Sequence, residues 1–255
     1  GQRGNFISVP TDCPQRDERL GWMGDAQIFV RTATCNMDVA GFFTKWMDDV
    51  DDAQSDEGAF ADFSPRLSHD ARSFEAAPGW GDAGIVVPWT IYQVYGDTRM
   101  IERHWDAMEK WMDFLLKFNP DLLRRNRLNN NYGDWLSIKA DTPKDLLATA
   151  YWAYDARLMA EMARAIGKTA EAAKYDKLYS DVTEAFRKEF VDDTGKVYLV
   201  HGDKLKEKGF DASGTERTAG LGETQTNYVL ALYFDLLPEN LREAAENLAK
   251  SSGAL

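Results

Sequence analysis

An apolar residue at every third or fourth position is the feature that most restricts what this chain can fold into. From Asp25 onward, Ala26, Phe29, Ala33, Met37, Ala40 and Phe43 follow that spacing and predict one helical face running to about Val50. Val86–Tyr95 predicts a shorter apolar helix stopped by Gly96. Asp97 or Thr98 can cap the next helix, whose stripe is Ile101, Trp105, Met108, Met112 and Leu115, with Pro120 just past its end. Thr142-Pro143-Lys144-Asp145 is a start signal: Thr142 as cap, Pro143 at the first helical position, Asp145 facing the helix N-terminus. That helix reaches about Ile166, and Tyr175, Leu178, Val182 and Phe186 mark another. Thr224–Leu236 and Glu239–Lys250 complete seven. The short Gly167-Lys168 connection predicts antiparallel hairpin neighbours. No strand-rich region and no repeat of fixed period is found, so the expectation is an all-α chain.

Length and charge narrow the function classes. With 255 residues the chain can bury one sizeable core, and it reads as a single partial domain over residues 1–255. It opens at Gly1 with no charged-then-apolar leader, so no signal peptide is read and a soluble piece of a longer protein is expected. No apolar run approaches the roughly 20 residues needed to span a bilayer. A net charge of −12 argues against a nucleic-acid partner. Cys13 and Cys35 form neither a disulfide framework nor a metal spacing and are expected to be buried free thiols. His69, His104 and His201 are spread out and match no metal site; His104 lies on a helix and reads as structural or exposed. Neither metal nor cofactor is expected.

The loops are unusual for a helical chain. Residues 51–84 carry Gly, Ser, Pro, Asp and aromatics with little periodicity, residues 119–141 and 191–222 form two more loops, and long loops of this kind are often functional. Trp80 and Trp135 belong to no helical stripe, whereas Trp46, Trp89, Trp105, Trp111 and Trp152 lie in or beside helices and read as core. A helical scaffold with such loops at one end can build a pocket.

The densest polar stretch runs from Asp12 to Asp25. It holds Asp12, Asp17, Glu18 and Asp25, with Arg16, Arg19 and Trp22, just before a long apolar helix; Pro14, Gly21 and Gly24 make it a shaped loop. Clustered carboxylates push their pKa values apart, which lets one stay protonated as a general acid while others remain ionised. Arg16 and Arg19 can hold the ionised ones by bidentate pairing. A structural ion-pair network, with Asp25 as a helix cap, accounts for the same composition.

The run Ser8-Val9-Pro10-Thr11-Asp12-Cys13-Pro14-Gln15-Arg16-Asp17-Glu18-Arg19-Leu20-Gly21-Trp22 resembles the signature of bacterial α-L-rhamnosidases of glycoside hydrolase family 78. Trp80-Gly81-Asp82-Ala83-Gly84 with Pro88-Trp89, and Tyr132-Gly133-Asp134-Trp135-Leu136, are similar to further blocks of that family. Thr142–Leu146 and Glu223-Thr224-Gln225-Thr226 are similar to weaker ones, and the likeness runs from about Asn5 to Leu248. Met23 departs from the pattern, which commonly has Thr there.

The resemblance implies an (α/α)6 barrel of helical hairpins, present here as an incomplete fragment. It implies inverting hydrolysis of terminal α-L-rhamnosides, with a rhamnose-containing oligosaccharide or glycoside as partner. By motif position Glu18 resembles the general acid. Asp12, Arg16 and Asp25 resemble the polar clamp on the sugar, Trp22, Trp80 and Trp135 its apolar walls, and Asp82 a further polar contact. The chemistry is consistent: the 6-deoxy methyl and C–H face of rhamnose suit aromatic walls, and its hydroxyls suit carboxylates and a guanidinium. Inversion needs an acid and a base with carboxyls about 6.5–9.5 Å apart. The family's base block, a Gly-Ala-Thr-Thr-x-Trp-Glu pattern, is not found, so the base is expected beyond Leu255; Glu223 is the candidate within the chain. Two alternatives stay open: another glycoside hydrolase on the same barrel, and a non-catalytic carbohydrate-binding barrel.

Overall fold

The computed structural model describes residues 1–13, 15–67, 74–137, 142–198, 209–210, 216–217 and 224–252. His69, His201, Pro14 and Glu223 lie outside the described residues. Nearly all regular structure is helical: α1 (Gln2–Asn5), α2 (Met23–Asn36), α3 (Ala40–Asp52), α4 (Ala83–Tyr95), α5 (Arg99–Phe118), α6 (Lys144–Ala165), α7 (Thr169–Phe190), α8 (Gln225–Tyr233) and α9 (Glu239–Ser252). One two-residue antiparallel pair, β1 (Gly209–Phe210) with β2 (Glu216–Arg217), is the strand content among the described residues. The chain packs as two compact units, one of residues 1–120, 126–131 and 155–177, the other of residues 121–125, 132–154 and 178–255.

In the first unit α4 is the central element, packed against α2, α3 and α5. Its residues Ala83–Pro88 are all buried, as expected for a helix apolar on every side. Around it lie Phe43, Trp46, Met47 and Val50 of α3 and Ile101, Trp105, Met108, Trp111, Met112 and Leu115 of α5, all buried. Each such side chain contributes about 1.5–3 kcal/mol of burial. Gly96 ends α4 in the left-handed conformation at φ 68°. Gly167, at φ 76°, turns the chain between α6 and α7, and Arg164 pairs with Asp176 across that turn. In the second unit Trp152, Val182, Phe186, Phe190, Tyr228 and Ala231 form the core, and α8 packs on α9.

Four expectations are corrected. The face predicted from Asp25 to Val50 is two helices, because Met37 is extended (φ −158°, ψ 160°) and Asp38 restarts the helix by accepting the Ala40 N–H at 3.1 Å. The Thr142 hydroxyl does not cap α6; it bonds Asp134 and Thr224, and the first α6 hydrogen bond runs from Leu147 N to Pro143 O. The cysteines are free but not buried: Cys35 is exposed and Cys13 half-buried. Trp89 is also half-exposed, while Trp46, Trp105, Trp111 and Trp152 are core. His104 is buried, with Nδ1 2.6 Å from Asp51 Oδ2.

The loop over residues 51–84 is better organised than its composition suggests. Phe60–Ser64 is extended and buried, and its backbone bonds on two sides. Met23 N donates to Asp62 O and Ser64 N to Gly21 O; Asp62 N donates to Phe74 O and Ala76 N to Phe60 O. These four bonds hold the buried segment to the loop entering α2 on one side and to residues 74–76 on the other. Farther along, buried Glu75 takes Arg66 at 2.7 Å and Arg127 at 3.4 Å, which braces two loops against each other.

The break between α2 and α3 is directly testable. In one continuous helix, Asp38→Ala would be neutral or stabilising, because Ala is the better helix former. With Asp38 closing the first turn of α3, the substitution should cost about 1 kcal/mol, read from urea unfolding midpoints.

Candidate active site

The polar loop is anchored from both ends. At its start, Asn5 Nδ2 donates to Thr11 O at 2.8 Å and to Asp12 O at 3.1 Å, and Thr11 Oγ1 returns a bond to Asn5 O. Phe6 holds this turn down, stacked on Phe42 at 4.5 Å and edge-on to Phe29 and Phe43. At its end, Gly21 and Gly24 sit where no side chain fits. A Cβ at Gly21 would lie 2.3 Å from Ser64 O, and one at Gly24 2.6 Å from the Trp80 ring. The loop therefore enters α2 pressed against the Ser64 segment, and the Trp80 indole lies directly on the first turn of α2.

This arrangement gathers five of the predicted residues. Arg16 lies 3.7 Å from Asp12 Oδ2 and donates to Cys13 Sγ at 2.6 Å. The Trp22 indole N–H donates to Glu18 Oε1, and its ring meets Phe63 edge-on at 5.2 Å. Glu18 and Arg16 are exposed, and Asp12 and Trp22 are half-buried. Asp25 stands in the first turn of α2, open to solvent on one side. Its carboxyl is raised above the ordinary carboxylate range, first by loss of water on its protein side, then by the like charge of Asp12 and, more weakly, of Glu18. Asp12 Oδ1 is buried without a hydrogen-bond partner. Three carboxylates and one guanidinium thus share a surface flanked by Trp22 and Trp80. Such a surface can accept hydroxyl donors and hold a proton at one carboxyl.

Asp82 is arranged differently from the sequence expectation. It is fully buried, and its Oδ2 accepts the Gly79 N–H at 2.5 Å, closing the turn that carries Trp80 into α4. The carboxylate faces the backbone and not solvent. Trp135 belongs to the second unit, where it is 57% exposed and edge-on to Tyr132 at 5.8 Å. Sequence reasoning missed two residues. Buried Gln27 donates from Nε2 to Gly79 O at 2.8 Å and fixes the Trp80 turn; a polar residue inside the buried face of α2 was the available signal. Asn5 gives no signal in sequence, because its role depends on a six-residue turn closing. Among the described residues no group of three or more His, Cys, Asp or Glu could hold a metal ion.

Known proteins supply the frame for this geometry. The α-L-rhamnosidase of Streptomyces avermitilis is 42% identical over 245 residues, covering 96% of this chain and 21% of that protein. The crystal structure of the S. avermitilis enzyme complexed with L-rhamnose superposes with a TM-score of 0.83 at 41% identity, over 98% of this chain and 21% of that one. The α-L-rhamnosidase from Dictyoglumus thermophilum gives a TM-score of 0.80 at 31% identity, over 98% and 26%. The chain thus spans between a fifth and about a quarter of the length of these relatives. Residues 1–253 match the model of the bacterial alpha-L-rhamnosidase 6 hairpin glycosidase domain, and the chain belongs to that family.

Proposed function

We propose that the protein carrying this chain hydrolyses terminal α-L-rhamnosides with inversion, with Glu18 as general acid. The observation that carries the reading is the Trp22–Glu18 bond at the centre of the carboxylate cluster. An indole N–H on Oε1 fixes the rotamer of Glu18 and leaves Oε2 as the atom that can deliver a proton to the glycosidic oxygen. General-acid chemistry needs that placement before it needs a tuned pKa. Asp12, Arg16 and Asp25 would take the sugar hydroxyls: the buried, unpartnered Asp12 Oδ1 is an acceptor waiting for a donor, and the exposed Arg16 guanidinium has further N–H donors beside the one on Cys13. Trp22 and Trp80 would meet the C–H face and the 6-deoxy methyl. Asp82 contributes from beneath, by closing the turn that carries Trp80. Inversion also requires a base carboxylate that activates water on the opposite face; Glu223 lies outside the described residues.

Two measurements test this reading. Glu18→Gln in the full-length protein should lower turnover of rhamnosides with poor leaving groups by about 10²–10⁴. An activated aryl rhamnoside needs less protonation and should lose less. Equal loss on both substrates would show that Glu18 positions the sugar and gives no proton. The second measurement concerns Asp25. A carboxyl whose folded pKa lies above its unfolded value near about 3.9 releases its proton more readily in the unfolded chain. Stability therefore falls as pH rises from that unfolded value through the raised folded one, and the full penalty is present above the folded value. Asp25→Asn should accordingly raise the unfolding midpoint at pH 7, show no gain at pH 3, and weaken L-rhamnose binding. A destabilised Asp25→Asn at pH 7 would contradict both the charge argument and its assignment to binding rather than structure.

A further inference from the structure

Two neighbouring segments and a third 92 residues from Asp134 meet within the second unit at a single carboxylate oxygen. Thr142 Oγ1 donates to Asp134 Oδ2 at 3.0 Å, and Thr226 Oγ1 donates to the same oxygen at 2.8 Å. The Thr142 and Thr224 hydroxyls lie 2.8 Å apart, and Thr224 is the N-cap of α8, accepting from Asn227 N. Buried Asn227 in turn donates from Nδ2 to Val197 O at 2.8 Å. Asp134 therefore joins the starts of α6 and α8.

What Asp134 carries next to it needs holding. Trp135 and Leu136 are 57% and 78% exposed. Gly133 and Leu136 both sit in the left-handed region, at φ 67° and 63°, the second a strained position for a branched side chain. The segment belongs to no helix or strand, and one turn bond, Ser137 N to Asp134 O at 3.1 Å, closes it. Two exposed apolar side chains on a strained turn would be expected to collapse onto the nearest apolar surface unless something tied them. The tie is the Asp134 side chain, and Tyr132 stands edge-on against the Trp135 ring.

We infer that Asp134 is a positioning residue: clasped by Thr142 and Thr226, its carboxylate holds the Tyr132–Trp135 pair as a preset aromatic shelf for a sugar ring. The sugar half of this inference rests on the rhamnoside reading above; the clasp does not. Preset shelves act on binding, because the protein no longer has to order the ring when the sugar arrives. Both hydroxyls converge on one oxygen, so an amide oxygen in that place can accept both. The clasp thus calls for an acceptor at Oδ2 and not for a charge.

The test uses the full-length protein with Asp134→Ala, Asp134→Asn and Thr226→Val. Two readouts are taken: acrylamide quenching of the Trp135 emission, isolated by subtracting each variant's Trp135→Phe counterpart, and steady-state kinetics on an aryl α-L-rhamnoside. The expected result is a less quenchable Trp135 in Asp134→Ala and Thr226→Val, because the untied ring collapses onto apolar surface. KM should rise about tenfold in Asp134→Ala with a much smaller change in kcat, and Asp134→Asn should stay near wild type in both. Unchanged Trp135 quenching in Asp134→Ala overturns the clasp, as does an Asp134→Asn variant as damaged as Asp134→Ala. A less quenchable Trp135 with unchanged KM overturns the sugar shelf. Should Asp134→Ala fail to fold, Thr226→Val, which removes one donor at constant shape, decides the matter. A wild-type protein inert toward rhamnosides counts against the rhamnoside reading alone, since the quenching readout still decides the clasp.

Discussion

One buried aspartate joins the segments from which the first unit's surface is built. Asp62 is fully buried, and its peptide and side chain serve three neighbours at once. Its carbonyl accepts Met23 N at 2.9 Å, its own N–H donates to Phe74 O at 2.9 Å, and its Oδ1 accepts Ala77 N at 3.1 Å. The first bond sets where α2 begins, and with it Trp22 and Asp25. The third sets the start of the turn that delivers Trp80. Helices satisfy their own peptides and can pack in many ways, but an extended buried segment cannot stay unless every donor and acceptor finds a partner. That requirement fixes the loops relative to α2 more narrowly than apolar packing would.

On this frame the chain holds a cluster it would not choose for stability. Asp12, Glu18 and Asp25 repel one another, and the raised carboxyl of Asp25 records that repulsion together with its loss of water. The Arg16 guanidinium is largely exposed and 3.7 Å from Asp12, so it neutralises little. Elsewhere in the unit, buried charge is treated differently: Glu75 takes two arginines, and Asp62 and Asp82 take backbone N–H donors. The contrast is physical grounds for separating carboxylates that build the fold from carboxylates left under strain for binding or proton transfer.

The helices were legible in the sequence wherever one stripe served one neighbour. Ile101, Trp105, Met108, Met112 and Leu115 all point to the same core, so periodicity alone located α5. It failed between Asn36 and Ala40, where the apolar spacing continues while the backbone does not. Met37 turns extended, the Val39 N–H leaves for the Tyr95 hydroxyl at 3.0 Å, and Asp38 Oδ1 accepts the Ala40 N–H where α3 begins. A long-range partner, invisible to a local pattern, outweighed local propensity. The grouping of Asp12, Arg16, Glu18, Trp22 and Asp25 was legible because they share one short loop. The burial of Asp82 was not, since a carboxylate before a helix reads the same whether it faces a ligand or the N–H three residues earlier.

The acidity of the chain also takes on a more specific meaning. A net charge of −12 argues against a nucleic-acid partner but does not by itself say what the acidic side chains do. Some of them serve as nodes that tie loops to helix starts: Asp62 and Asp82 in the first unit, Asp134 in the second. Aspartate suits this task because its short side chain keeps its acceptor oxygens close to its own backbone, where loop N–H and hydroxyl donors converge. With one two-residue strand pair among the described residues, little sheet is present to order the long connections. The chain's aromatic loop residues, Trp80 and Trp135, are each carried by a segment with such a node adjacent or two positions away, and that local tie is what lets an exposed ring keep one orientation.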